Sequence, residues 1–84
     1  MSRVVIYATR SCPYCMMARQ LLTSKGVTFE EIAVDGNPDQ RMVMAQRSGR
    51  RTVPQVFIDD QPVGGYDDLA ALDRIGRLDR LLRG

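Results

Sequence analysis

Apolar residues follow two rhythms along this chain. RVVIYAT (3–9) is a continuous apolar run rich in β-branched residues, the pattern of a strand buried on both faces. Ser11-Cys12-Pro13 follows, and a proline suits the first position of a helix, which needs no N–H donor and a φ that proline already holds. The spacing then turns helical. Met17, Ala18, Leu21 and Leu22 fall on one face, Arg19, Gln20 and Ser24 point elsewhere, and Lys25-Gly26 supplies a terminal charge and a left-handed stop. VTFEEIAVD (27–35) predicts a second strand, its alternation broken by the two glutamates. A connection of about 18 residues between the strands is long enough for a right-handed parallel βαβ unit.

Asn37-Pro38 caps and opens a second helix that Gly49 closes, with Met42, Val43 and Ala45 as a loosely defined apolar face. RRTVP then leads into QVFID, DQP and VGG, two short strands joined by a turn-rich stretch and therefore an antiparallel hairpin. Asp67 and Asp68 precede Leu69, Leu72 and Ile75 on a last main helix, Gly76 interrupts it, and Leu78, Leu81 and Leu82 predict a final helical turn packed back on the body. The order β-α-β-α-β-β-α gives a four-stranded mixed sheet flanked by helices, in the α/β class.

Composition narrows this picture. At 84 residues the chain is expected to form a single domain over 1–84, burying about 60–65% of its unfolded surface. A net charge of +2, with arginines scattered rather than striped, speaks against nucleic acid as a partner. The first apolar run is too short for a signal peptide, and no stretch approaches the roughly 20 apolar residues that span a bilayer. The expectation is a soluble cytoplasmic monomer that binds no membrane. In a reducing compartment, a close pair of cysteines points to chemistry rather than scaffolding.

Cys12 and Cys15 are the only two cysteines, and the chain has no histidine. As a staple, a bridge across so short a loop yields only about 2 kcal/mol in the chain-entropy model, which overstates such stiff rings. Two buried thiols without a role are the other structural option, but Cys12 lies at a predicted helix start where the chain surfaces. Structural zinc wants four ligands, so a single-chain metal site fails on ligand count. Redox exchange fits best: in C-x-x-C one thiol attacks and the second resolves the mixed disulfide.

With Pro13 at the first helical position, the Cys12 sulfur lies over the free N–H groups of Tyr14 and Cys15, while Cys15 is covered by the helix. That makes Cys12 the nucleophile. A free cysteine is about 3% thiolate at neutral pH, and lowering its pKa to about 6 requires about 3.4 kcal/mol. The helix dipole supplies about 0.3–1 kcal/mol, and hydrogen bonds to a charged acceptor about 1.5–3 kcal/mol each. Main-chain donors therefore suffice without histidine, with Arg10 as an additional cation.

CPYC near the N-terminus, TVPQVFID forty residues later and GGYDDL after it resemble the glutaredoxins of the small dithiol, bacterial type, over essentially the whole chain. The resemblance implies a thioredoxin-like fold, thiol–disulfide exchange, no permanently bound cofactor, and glutathione as reductant and bound substrate. Disulfide-bearing or glutathionylated proteins would be its partners. It implies that Cys12 takes up glutathione, Cys15 resolves, and Tyr14 flanks the sulfur. Thr52, Val53 and Pro54 match a loop whose proline is cis and whose preceding residue pairs its backbone with the glutathione cysteine. Gly65, Tyr66, Asp67 and Asp68 match the segment that holds the γ-glutamyl end, although Asp67 and Asp68 also suit plain helix capping.

Two positions depart from the family pattern. A lysine common three residues before the first cysteine is Thr9 here, leaving Arg10 to substitute, and a third cysteine of close relatives is Tyr66. Arg50 and Arg51 are candidates for the glycine carboxylate or are simply solvated. A redoxin served by thioredoxin reductase is the nearest alternative. An iron–sulfur carrier is a more distant one, because Pro13 and Tyr14 stiffen and crowd the site.

Overall fold

The structure, a computed structural model, describes residues 2–83. Its elements are β1 (Val4–Ala8), α1 (Pro13–Ser24), β2 (Glu30–Ala33), α2 (Pro38–Ser48), β3 (Gln55–Ile58), β4 (Gln61–Gly64), α3 (Tyr66–Arg74) and α4 (Arg77–Arg83). The four strands make one mixed sheet in the order β2-β1-β3-β4. β1 runs parallel to β2, with Ile6 opposite Glu31, and antiparallel to β3, with Ile6 opposite Val56. β3 and β4 form the expected antiparallel hairpin.

Every residue of β1 is buried because alternate side chains enter two separate cores. Val4, Ile6 and Ala8 join Val56 and Ile58 beneath Cys15, Ala18 and Leu22 of α1, Leu69 of α3, and Leu78 and Leu82 of α4. Val5, Tyr7 and Phe57 face the other way, against Val34 and Met44 of α2. On that second face Arg47 lies 4.8 Å from the centre of the Phe57 ring and donates to the Tyr7 hydroxyl at 3.1 Å, fastening α2 to the sheet.

The observed faces differ from the expected ones in instructive ways. α1 turns Cys15, Ala18 and Leu22 inward, with Leu21 at the flank, while Met17 is 40% exposed. α2 buries Met44 completely and leaves Met42 63% and Val43 36% exposed. Met44 fills the space between Val5, Tyr7, Val34 and Phe57. β2 is shorter than 27–35 and lies at the sheet edge, where its glutamates reach solvent and bind Arg3 and Arg19. α3 begins at Tyr66, so Asp67 and Asp68 sit inside its first turn rather than before it. Ile75, at the end of α3, is 69% exposed, and Leu81 is 37% exposed while Leu78 and Leu82 pack inward. No helix among the described residues is long and apolar enough to cross a membrane.

These faces are testable. Met44→Ala and Leu22→Ala should each cost about 2–5 kcal/mol of stability, whereas Met42→Ala should stay within about 0.5 kcal/mol. Urea denaturation midpoints measure all three.

Candidate active site

The site begins where β1 hands the chain to α1. Cys12 is the residue that caps this helix, in extended conformation (φ −88°, ψ 117°), with Pro13 following at the first helical position. Its carbonyl accepts the first helical hydrogen bond, from the Met16 N–H at 3.1 Å. Its sulfur accepts the Cys15 N–H at 3.3 Å, the place a serine or aspartate oxygen takes at an ordinary helix start. Both cysteines are free thiols, Cys12 half-buried and Cys15 fully buried.

Their acidities separate accordingly. For Cys12, burial works against the thiolate, but hydrogen bonds from Cys15 and the Tyr14 main chain, together with the charge of Arg19, outweigh it and hold the pKa below the ordinary cysteine value. For Cys15, burial dominates, and the thiol is pushed up to about 11. One sulfur favours ionisation at the surface and the other resists it underneath.

Facing Cys12 is the loop before β3. The Val53–Pro54 peptide bond is cis, and the Val53 carbonyl lies 3.8 Å from the Cys12 sulfur, accepting the thiol proton. Gln55, buried in β3, donates through Nε2 to the Thr52 carbonyl at 3.0 Å and to its hydroxyl at 3.2 Å, tying the loop to the strand. Beyond the loop comes the start of α3. The Asp68 carboxylate accepts the Gly65 N–H at 3.0 Å and the Arg50 guanidinium at 2.7 Å. Arg50 is the larger cause, and the two hold the Asp68 carboxyl below the usual range. The closeness of these parts depends on small residues. A Cβ on Gly64, whose φ is +113°, would lie 2.7 Å from the Asp68 Cγ, and one on Gly65 would lie 3.3 Å from the Pro54 carbonyl oxygen.

Together Tyr14, Arg50, Thr52, Val53, Pro54, Gly65, Tyr66, Asp67 and Asp68 line a cleft of about 190 Å³. The structure thus brings the segments at 50–54 and 65–68 together beside the CPYC segment at 12–15. It does not bring Arg10 there: that side chain is 94% exposed, with its guanidinium 3.7 Å from Asp35. Arg50 lines the cleft, whereas Arg51 is not among its walls. Sequence reasoning passed over Arg19. This residue donates to both oxygens of Glu31 at 2.9 Å and to the Thr9 carbonyl at 3.1 Å, and its charge favours the thiolate at both cysteines. The available signal was its spacing, four residues after Cys15 and so on the same helical face. Among the described residues, no group of three or more histidine, cysteine, aspartate or glutamate side chains is placed to hold a metal ion.

With this geometry in view, comparison with known proteins is direct. The glutaredoxin family model matches residues 4–63. The chain is 57% identical over 83 residues to glutaredoxin 3 of Escherichia coli strain K12, covering 99% of this chain and all of that one. It is 56% identical over 82 residues to a glutaredoxin of Pseudomonas aeruginosa, covering 98% of each. Among solved structures, a buckwheat glutaredoxin in complex with glutathione superposes with a TM-score of 0.89 at 29% identity, covering 98% of this chain and 77% of that one. The Brucella melitensis glutaredoxin gives 0.84 at 50% identity, covering 95% and 87%. A thiol pair split in acidity at the head of a helix therefore belongs, here, to a member of the glutaredoxin family of thiol–disulfide oxidoreductases, with the thioredoxin-like fold of that family.

Gly64→Ala should force the Asp68 carboxylate off the Gly65 N–H and impose an unfavourable backbone conformation, costing about 1–3 kcal/mol. Thermal unfolding of the variant beside the parent measures this.

Proposed function

We propose that the protein is a glutathione-dependent disulfide reductase in which Cys12 is the nucleophile and Cys15 the resolving thiol. The observation that carries this reading is the Cys12 sulfur, capped by the Cys15 N–H at 3.3 Å and opening beside the cleft between the Val53-Pro54 loop and α3. The Cys12 thiolate attacks a disulfide, forming a mixed disulfide and releasing one thiolate of the target. Cys15 then attacks the Cys12 sulfur, closing the Cys12–Cys15 disulfide and releasing the second target thiolate. One glutathione thiolate opens that disulfide at Cys12, and a second attacks the glutathione sulfur, leaving oxidised glutathione and the dithiol. On a glutathione mixed disulfide, Cys12 completes the cycle without Cys15.

The cleft suits a tripeptide with anionic ends. The Val53 main chain is suited to pair with the central cysteine. The first N–H groups of α3, at Tyr66, Asp67 and Asp68, have no helical acceptor and suit the γ-glutamyl carboxylate. The exposed Asp67 carboxylate suits its ammonium group, and Arg50 brings positive charge to the same cleft. Asp68 is already engaged by Arg50 and the Gly65 N–H, so its role is to hold the start of α3 in place. The relative solved with glutathione bound supports this choice of ligand. Proteins carrying disulfides or glutathione adducts are the proposed partners, and the chain is proposed to work as a monomer.

Cys15→Ser should keep removal of glutathione from mixed disulfides and lose reduction of a protein disulfide, while Cys12→Ser should lose both. Equal loss of the two activities in Cys15→Ser would refute the division of roles. Turnover should be sustained by glutathione with glutathione reductase; turnover by thioredoxin reductase alone would favour the redoxin alternative.

The pH dependence has a definite sign. Because Cys12 is held more acidic than a free thiol, its alkylation rate should rise through a midpoint below the ordinary value of about 8.5 and level off above it. Iodoacetamide labelling of Cys15→Ser across pH measures that midpoint.

A further inference from the structure

Besides Arg50 in the cleft, a second cation, Arg19, is bound into the frame that carries the thiol pair. Arg19 lies one helical turn beyond Cys15 on the same face of α1, at the i, i+4 spacing that brings side chains together. Its side chain is 25% exposed. Three hydrogen bonds fix its guanidinium: two to Glu31 on β2 at 2.9 Å, and one to the Thr9 carbonyl, immediately after β1, at 3.1 Å. This fork joins the helix, the edge strand and the segment leading to Cys12. A surface pair of this kind contributes little to stability on its own. Its location points to another role.

We propose that Arg19 is a positioning residue for the thiol pair: it pins the Thr9 main chain beside the buried Cys15 sulfur and sets a fixed positive charge behind both cysteines. Cys15 has no solvent contact and no capping position, so it needs another means of carrying charge when it attacks Cys12 or leaves from it. Thr9 is linked to both groups through its main chain. Its carbonyl is held by Arg19, and its main-chain N–H acts on the Cys15 sulfur, favouring the thiolate against the larger effect of burial. The other titratable groups around the pair are Glu31, which partly offsets Arg19 from β2, and Tyr14, Arg50, Tyr66, Asp67 and Asp68 along the cleft. Arg19 differs from them in its three hydrogen bonds to β2 and to the β1–α1 connection and in acting on both sulfurs. In the resolving step no oxidant is consumed: the Cys15 thiolate forms a bond to the Cys12 sulfur as the bond from Cys12 to the outgoing thiolate breaks.

This inference rests on the reading of Cys15 as the resolving thiol, but its test requires neither glutathione nor turnover. Cysteine labelled isotopically at Cβ reports ionisation by NMR in the two single-thiol proteins, Cys12→Ser and Cys15→Ser. Adding Arg19→Met should lower the acid dissociation constant of each remaining thiol by about threefold or more, the change expected when a nearby charge is removed. Arg19→Lys should recover most of that loss. If Arg19→Met impairs folding, judged from amide dispersion in the same samples, Arg19→Gln keeps a donor for Thr9 without the charge. It should lower the Cys12 constant and leave Cys15 less affected than a full loss of the fork would. Unchanged constants for both thiols in a folded Arg19→Met or Arg19→Gln protein would overturn the proposal. Equal loss of both activities in Cys15→Ser would refute the parent mechanism and leave these ionisation measurements standing.

Discussion

The hydrogen bond from the Cys15 N–H to the Cys12 sulfur is the contact on which the rest of the site depends. It uses a donor that the helix start would otherwise leave without a partner, so the group that stabilises the sulfur's charge is supplied by folding itself. The bond requires a helix to begin a few residues after a buried strand, at a proline that gives up its own N–H without cost. It also requires that start to be rigid. Ala18 and Leu22 anchor α1 on the same side of the sheet as Val4, Ile6 and Ala8, and the two ends of the β1–α1 connection are thereby held.

Because β1 feeds both cores, it couples the two sides of the molecule. On one side it carries the helix that bears the thiols. On the other, Tyr7 packs edge-on against Phe57 at 5.5 Å between ring centres, and Arg47 closes the stack. The cleft is made at the carboxyl end of β1 by elements that pair with it or pack on it: the loop entering β3 and the helix following β4. Small residues at positions 64 and 65 let those elements approach, while Asp68 fastens the approach electrostatically. The walls are therefore set both by the core packing beneath them and by contacts among the lining residues themselves.

Much of this was readable in the residues. β1, the start of α1, the hairpin and the break at Gly76 follow from apolar runs and from proline and glycine at positions with a steric meaning. The faces of α2 were not, because the contiguous Met42-Val43-Met44 offers three apolar candidates and only tertiary packing selects Met44. β2 was overextended because Val27, Phe29 and Val34 are genuinely apolar but pack from outside the strand, while its glutamates answer to arginines elsewhere. Within the site, the acidity of Cys12 could be reasoned from local helix physics. The loop at 52–54 and the segment at 65–68 came from the family resemblance, since nothing local says that they meet. Arg10 was favoured for its nearness in sequence, yet its side chain turns to Asp35. Arg19 acts through Glu31 and Thr9, partners that only the parallel pairing of β1 and β2 brings within reach.

A sulfur serving as helix cap ties backbone order to oxidation level. A thiolate is a strong acceptor for the Cys15 N–H, whereas a disulfide sulfur carries no charge and holds that donor weakly. With Cys12 joined to another sulfur, the Cys15 N–H would keep a weaker acceptor at the first turn of α1. The contact that favours the Cys12 thiolate is thus also a fastening of the helix start, and its strength varies with the charge on the sulfur.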